Sequence, residues 1–138
     1  ASSVLTEQRK KTKSGANMNA LKQMANSVHD FAAALRNHEY ERLGTMLHEG
    51  WQRKKTLASN VSNPGIDALY DAARRKGAWG GKLLGAGGGG CLLFIVAPEK
   101  RAEVVRALDR LARKQKHEDA AVIPFSFVQN GVEIIHEQ

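Results

Sequence analysis

Gly77-Ala78-Trp79-Gly80-Gly81-Lys82-Leu83-Leu84-Gly85-Ala86-Gly87-Gly88-Gly89-Gly90 runs directly into Cys91-Leu92-Leu93-Phe94-Ile95-Val96. Eight of the chain's 13 glycines fall in the first of these segments, and between Gly85 and Gly90 every residue but Ala86 is glycine. Glycine loses more backbone entropy on folding than any other residue, so such a run persists only where the chain needs it. Two needs fit. Successive bare N–H groups can approach and cradle an anion, or the chain can simply turn tightly with a bulge. A plain hairpin needs only about two to five residues and one or two glycines, which favours the anion-facing reading. The apolar run Cys91–Val96 has the length and composition of a buried strand, and Ala78–Leu84 reads as a short, glycine-rich strand before the loop.

Two nucleotide motifs fail here. Gly85-Ala86-Gly87-Gly88-Gly89-Gly90 satisfies G-x-G-x-x-G, but a dinucleotide fold needs a helix after the loop, and a strand follows. A Walker A loop needs glycine five residues before Gly81-Lys82 and a hydroxyl after it; Lys76 and Leu83 stand there.

Upstream, Asn63-Pro64 marks a helix start, with a capping side chain and a preset φ, and Asp67 sits in the first turn where a carboxylate suits the helix dipole. Ile66, Leu69, Tyr70 and Ala73 form its apolar face, and Gly77 ends it. Leu21, Met24, Val28, Phe31 and Leu35, then Tyr40, Leu43, Leu47 and Trp51, form two stripes of helical period broken at Asn37-His38, which predicts a helical hairpin. A short helix from Ser2 or Ser3 to Lys13 precedes it, with serine as cap and Gly15 as stop. Downstream, Pro98 opens a helix with Val104, Leu108 and Leu111 on one face. Ala121–Gln129 reads as a strand around Ile123, Phe125 and Phe127, and Asn130-Gly131 as a hairpin turn into Val132–Ile135. Helices followed by strand, loop, strand, helix, strand and strand predict an α+β fold, a mainly antiparallel sheet with helices on one face.

Lys82-Leu83-Leu84-Gly85-Ala86-Gly87-Gly88-Gly89-Gly90 matches, throughout, the K-L-x-G-A-G-x-G-G form of the third motif of GHMP kinases. Pro64-Gly65-Ile66-Asp67 and Gly77-Ala78 resemble the lead-in of that family. The all-glycine ending and the helix Val4–Lys13 resemble its sugar-kinase branch, which includes heptose 7-phosphate kinases and fucokinases. This resemblance implies a ferredoxin-like C-terminal domain over residues 1–138, lacking its first strand. It implies a phosphate- and substrate-facing loop at Gly85, Ala86, Gly87, Gly88, Gly89 and Gly90, with Lys82 and Asp67 as candidate ligand contacts.

It also implies ATP and Mg2+ as cofactors, a sugar or sugar-phosphate substrate, and an N-terminal kinase domain as the partner across a cleft. The family's P-x-x-x-G-L-x-S-S-A type loop has no counterpart, since the three prolines are Pro64, Pro98 and Pro124. The chain, which opens on Ala1 rather than methionine, is therefore expected to be one domain of something longer. Alone it carries no catalytic residue and should be inactive. Gly87→Val or Gly88→Val is expected to cut turnover in the longer enzyme with the fold kept.

Composition sets the rival readings. The net charge of +7 invites a small nucleic-acid-binding module. Most of the cations, however, cluster at expected helix ends, where the dipole favours them, and Phe125 and Phe127 alone make no RNP pattern. Other GHMP small-molecule kinases, acting on fucose, galactose or mevalonate, remain open alternatives. An assembly role for the helical hairpin 21–57 and a homodimer are both compatible with the kinase reading. A single cysteine, no signal peptide and no membrane-length apolar run fit a cytoplasmic protein. The histidines occur singly, so no metal site is expected. Trp79 is read as packing ahead of sugar stacking, and Cys91 as inert packing at a buried strand.

Overall fold

The computed structural model describes residues 2–117 and 119–127, of Ser2 the backbone alone. The elements in order are α1 (Ser2–Lys13), α2 (Met18–Arg36), α3 (Tyr40–Thr56), α4 (Pro64–Arg75), β1 (Ala78–Leu83), β2 (Leu92–Val96) and α5 (Arg101–Lys114), the last preceded by one 3-10 turn at Pro98–Lys100. The expected α+β class, helical hairpin, helix start at Asn63-Pro64 and strand pair about the glycines are all present.

Local chemistry explains the boundaries. Asn63 Oδ1 accepts the Ile66 N–H at 3.0 Å, and Pro64 follows at the position where a missing N–H is harmless. Gly15 and Gly77 take φ of +80° and +99°, the left-handed stops expected after α1 and α4. Between α2 and α3 the reversal falls on His38, at φ +58°, and Glu39 then ties Asn37 and Arg42 together at 3.1 and 2.7 Å. α1 is docked by buried Val4 and by Glu7, whose carboxylate accepts the Ser59 N–H and hydroxyl at 3.0 and 2.8 Å.

β1 and β2 pair antiparallel, from Ala78 opposite Val96 to Leu83 opposite Leu92, with an irregularity between Ala78 and Gly80. α3 lies on this hairpin. Its Gly44 meets Gly80 so closely that a Cβ on Gly80 would stand 1.8 Å from the Gly44 carbonyl oxygen. Val4, Trp51, Ala58, Val61, Ile66, Tyr70 and Leu83 form the main core, with Leu92 and Phe94 against it. A second cluster of Ala73, Ala78 and Val104 joins α4 and α5 to the other end of the sheet. Burying side chains of the size of Trp51 and Tyr70 stabilises the fold by roughly 2–3 kcal/mol each.

Tyr70 carries a polar network within this core. Its hydroxyl donates to the Gly81 carbonyl at 3.2 Å and lies 2.8 Å from His48 Nδ1. The phenol has one proton, so with that proton on Gly81 the imidazole must donate Nδ1–H to the phenol oxygen. Burial first, then the nearby Arg74 and Lys55 charges, pushes His48 below its ordinary pKa of 6.5. The folded state therefore holds the neutral ring, while the unfolded chain takes up a proton below pH 6.5. This contribution is fully present above that value and is lost as pH falls through it. The unfolding midpoint should drop between pH 7 and pH 5, and His48→Gln should flatten that slope in thermal melts at stepped pH.

The expected strand Ala121–Gln129 is corrected. Residues 121–127 form no strand, and Ile123, Phe125 and Phe127 are 63%, 65% and 94% exposed. Alternating apolar side chains permit a strand, but a strand needs a neighbour's free N–H and C=O groups, and no described edge pairs with this segment. Val128, Gln129 and the expected Asn130-Gly131 hairpin with Val132–Ile135 lie outside the described residues. Among the described residues no helix is long and apolar enough to cross a membrane.

Candidate functional site

The six residues Gly85–Gly90 connect β1 to β2 through a base closed by the Leu84 N–H donating to the Cys91 carbonyl at 2.9 Å. Gly85, Gly87, Gly88 and Gly90 have φ of +77°, +121°, +82° and +114°, which side-chain-bearing residues rarely adopt. The middle of the loop is seated on the α3–α4 connection. Gly88 N–H donates to the Val61 carbonyl at 3.0 Å, and a Cβ on Gly87 would stand 2.8 Å from Val61 Cα and 2.9 Å from its oxygen. Val61 is fully buried in the main core, so the loop is seated on a packed residue.

Among the described residues the N–H groups of Gly85, Ala86, Gly87, Gly89 and Gly90 have no protein acceptor. Several uncommitted backbone donors in one short loop are chemically able to hydrogen-bond an anion. A cavity of about 600 Å³ opens beside Gly88–Gly90, walled by the start of α4, by Leu83 and Leu92, and by Lys116 and His117 beyond α5.

Three consecutive cations end α3, and they do different work. Arg53 pairs with Glu49 at 3.1 Å and Lys55 faces Asp67 at 3.4 Å. Lys54 instead turns to the loop and donates to the Gly85 carbonyl. Burial, and after it the charge of Lys82, lowers the Lys54 pKa. Lys82, on β1 opposite Leu93, thus lies within electrostatic reach of Lys54 at the mouth of the loop.

Of the residues singled out from sequence, Lys82 adjoins the loop, whereas Asp67 is committed to the start of α4. Its Oδ1 accepts the Ser62 hydroxyl at 2.9 Å and faces Lys55. Trp79 lies at the far end of β1 from the loop, half-buried against α3, beside a different cavity lined by His38–Arg42 and Thr45. Cys91 is exposed, correcting its expected burial: it precedes β2 at the rim of the loop. The expectation for Gly87→Val is corrected too, because its Cβ would collide with the Val61 backbone and disturb the seat. Lys54 and Val61 escaped the sequence reading. In sequence Lys54 is one of three adjacent helix-end cations, Arg53 to Lys55, and Val61 carries no signal of any kind. Among the described residues no group of three His, Cys, Asp or Glu side chains could hold a metal ion.

The chain is 34% identical over 115 residues to the D-glycero-alpha-D-manno-heptose 7-phosphate kinase of Campylobacter jejuni, covering 83% of this chain and 31% of that protein. It is 40% identical over 70 residues to the mevalonate kinase of Thermococcus sibiricus, covering 51% of this chain and 20% of that one. The chain thus spans a third or less of the length of these relatives. The crystal structure of L. major mevalonate kinase in complex with R-mevalonate superposes with a TM-score of 0.65 at 22% identity, covering 79% of this chain and 34% of that one, a likeness of fold. The model of the family described as GHMP kinases C terminal matches residues 31–114 and so takes in α3, α4, the glycine loop and both strands; the chain belongs to the GHMP kinases, as their C-terminal domain.

Proposed function

We propose that this chain is the C-terminal domain of an ATP-dependent kinase that phosphorylates a sugar hydroxyl, with a sugar phosphate of the heptose 7-phosphate type as substrate. The observation that carries this reading is the loop Gly85–Gly90, whose N–H groups, all but that of Gly88, have no acceptor among the described residues and which borders an open cavity. Bound ATP supplies the phosphoryl group. The work of this chain is to position and to offset charge, which is most of what phosphoryl transfer asks of a protein. Backbone donors facing that phosphate would need little reorganisation as charge shifts onto the transferring oxygens. The glycines let the phosphate approach the backbone, where a Cβ would hold it away.

Mg2+ has no described ligand set here. Its ligands and the main ATP-phosphate loop belong, in this proposal, to a preceding domain. The sugar-phosphate preference rests on the heptose kinase relative, and the mevalonate kinases keep a non-sugar alcohol as the second reading. The nucleic-acid reading lacks the sheet it called for, since Phe125 and Phe127 stand on no strand.

Calorimetry separates the parts. This chain alone should bind ATP no tighter than the millimolar range and transfer no phosphate, and the longer kinase should bind it in the micromolar range typical of enzyme substrates, about 1 μM–1 mM. Micromolar binding or turnover by this chain alone would place the nucleotide site elsewhere. A panel of heptose 7-phosphate, fucose, galactose and mevalonate, assayed with the longer kinase, then identifies the acceptor.

A further inference from the structure

Lys54 and Lys82 stand out once every cation near the loop is matched with its partner. Lys55 has Asp67, and Arg53 has Glu49. Neither Lys54 nor Lys82 has a carboxylate within ion-pair distance among the described residues, although the two are half-buried and close enough to repel one another. Holding two like charges together without a counter-ion is unfavourable, and more so away from bulk water. A third source of positive potential starts at the residue that Lys54 touches: the loop from Gly85 on, whose N–H groups, all but that of Gly88, have no acceptor among the described residues. Lys54 uses one of its three donors on the Gly85 carbonyl, which fixes the ammonium at the loop and leaves two donors over.

We infer that Lys54 and Lys82, together with the loop amides, form a binding site for a tetrahedral phosphate group, with Lys54 both a ligand and the brace of the loop through Gly85. The inference rests on the kinase reading only for the source of that phosphate. It is either the transferring phosphate of ATP or the phosphate that a sugar-phosphate substrate already carries. A neutral sugar offers no such charge. If the second source is correct, the lysine pair is what selects phosphorylated over unphosphorylated sugars.

The test has two arms. In the first, pyrophosphate is titrated into the 138-residue chain labelled at glycine nitrogen, and the amide signals of Gly85–Gly90 are followed by NMR. Saturable shifts are expected, and Lys54→Met and Lys82→Met should each weaken binding about tenfold, the usual size for one charge-assisted contact. Lys54→Arg, which keeps the charge, should stay within about threefold of the parent. Lys82→Met guards against a trivial result, because Lys82 does not touch the loop carbonyl. No shifts in the parent chain, or equal affinity in all variants, would overturn the inference. This arm needs no enzymatic activity, so it stands even if the kinase reading fails.

The second arm uses the longer kinase with Lys54→Met. A rise in KM for ATP alone assigns the site to the nucleotide. A rise in KM for the sugar phosphate, with none for its dephosphorylated form, assigns it to the substrate. Unchanged KM for both would contradict a phosphate site at Lys54.

Discussion

Gly80→Ala should remove a large part of the stability of this chain. The added Cβ would stand 1.8 Å from the Gly44 carbonyl oxygen and 2.6 Å from its carbon, with His48 Cβ at 3.1 Å. The two closest atoms are backbone, in the middle of a helix, so no rotamer change relieves the contact. Either α3 lifts from the strands or β1 shifts, and both disturb the layer that contains Trp51, Tyr70 and Leu83. Overpacking a well-filled core costs about 1–3 kcal/mol and occasionally more, and a collision of backbone with backbone belongs at or above the top of that range. A domain of this size is stable by only about 5–15 kcal/mol.

Gly44→Ala should be almost as damaging, since its Cβ would meet Trp79 Cβ at 2.4 Å and Trp79 C at 2.9 Å. The control is on the same helix. A Cβ on Gly50 meets nothing within 4 Å, so Gly50→Ala should gain up to about 1 kcal/mol from helix propensity alone. Urea unfolding of the three variants, compared at equal m-value, reads the difference. Equal midpoints for Gly80→Ala and Gly50→Ala would mean that α3 and β1 do not pack at this distance.

That contact also shows where a sequence stops being legible. The apolar stripes of α2 and α3, the Asn63-Pro64 start of α4 and the glycine-rich turn each carry their own local physics, and each appears where its chemistry places it. Gly44 and Gly80 do not. Within one sequence, a glycine in a helix and another in a strand look like two separate losses of stability, and only the packed pair reveals a single close approach. Lys54 was hidden in the same way. Its neighbours Arg53 and Lys55 behave as helix-end cations with acidic partners, and nothing in the sequence distinguishes the one that reaches back to Gly85, 31 positions on.

The error over residues 121–127 ran in the opposite direction. Phe125 and Phe127 have the alternation of a strand, but alternation describes side chains, whereas a strand is made by a partner backbone. The two rings instead meet edge to face, 5.5 Å apart at 87°. Cys91 failed by a single position, since it stands just outside a strand that begins at Leu92. For the candidate site, the glycine run was legible as a place but not as a geometry. That Gly87 is pinned by Val61 while Gly89 stands free has no trace in a row of identical residues.

That difference makes Gly89→Val the most direct test of whether the loop backbone closes on a phosphate. At Gly85, Gly87, Gly88 and Gly90 any side chain is strained by positive φ, so lost activity there would be confounded with a distorted loop. Gly89 has no such φ, and nothing lies within 4 Å of its Cβ position. An exposed substitution free of strain usually changes stability by no more than about 0.5 kcal/mol. If a phosphate docks against the amides beside it, however, an isopropyl group at Gly89 would hold that phosphate off. Losing a preorganised donor of this kind lowers turnover by about 10²–10³-fold.

The measurement is kcat/KM and the melting temperature of the longer kinase, parent against Gly89→Val. An unchanged melting temperature with turnover reduced at least a hundredfold is the expected pair of results. Kinetics within twofold of the parent would contradict the phosphate-facing loop and leave Gly85–Gly90 as a turn between two strands.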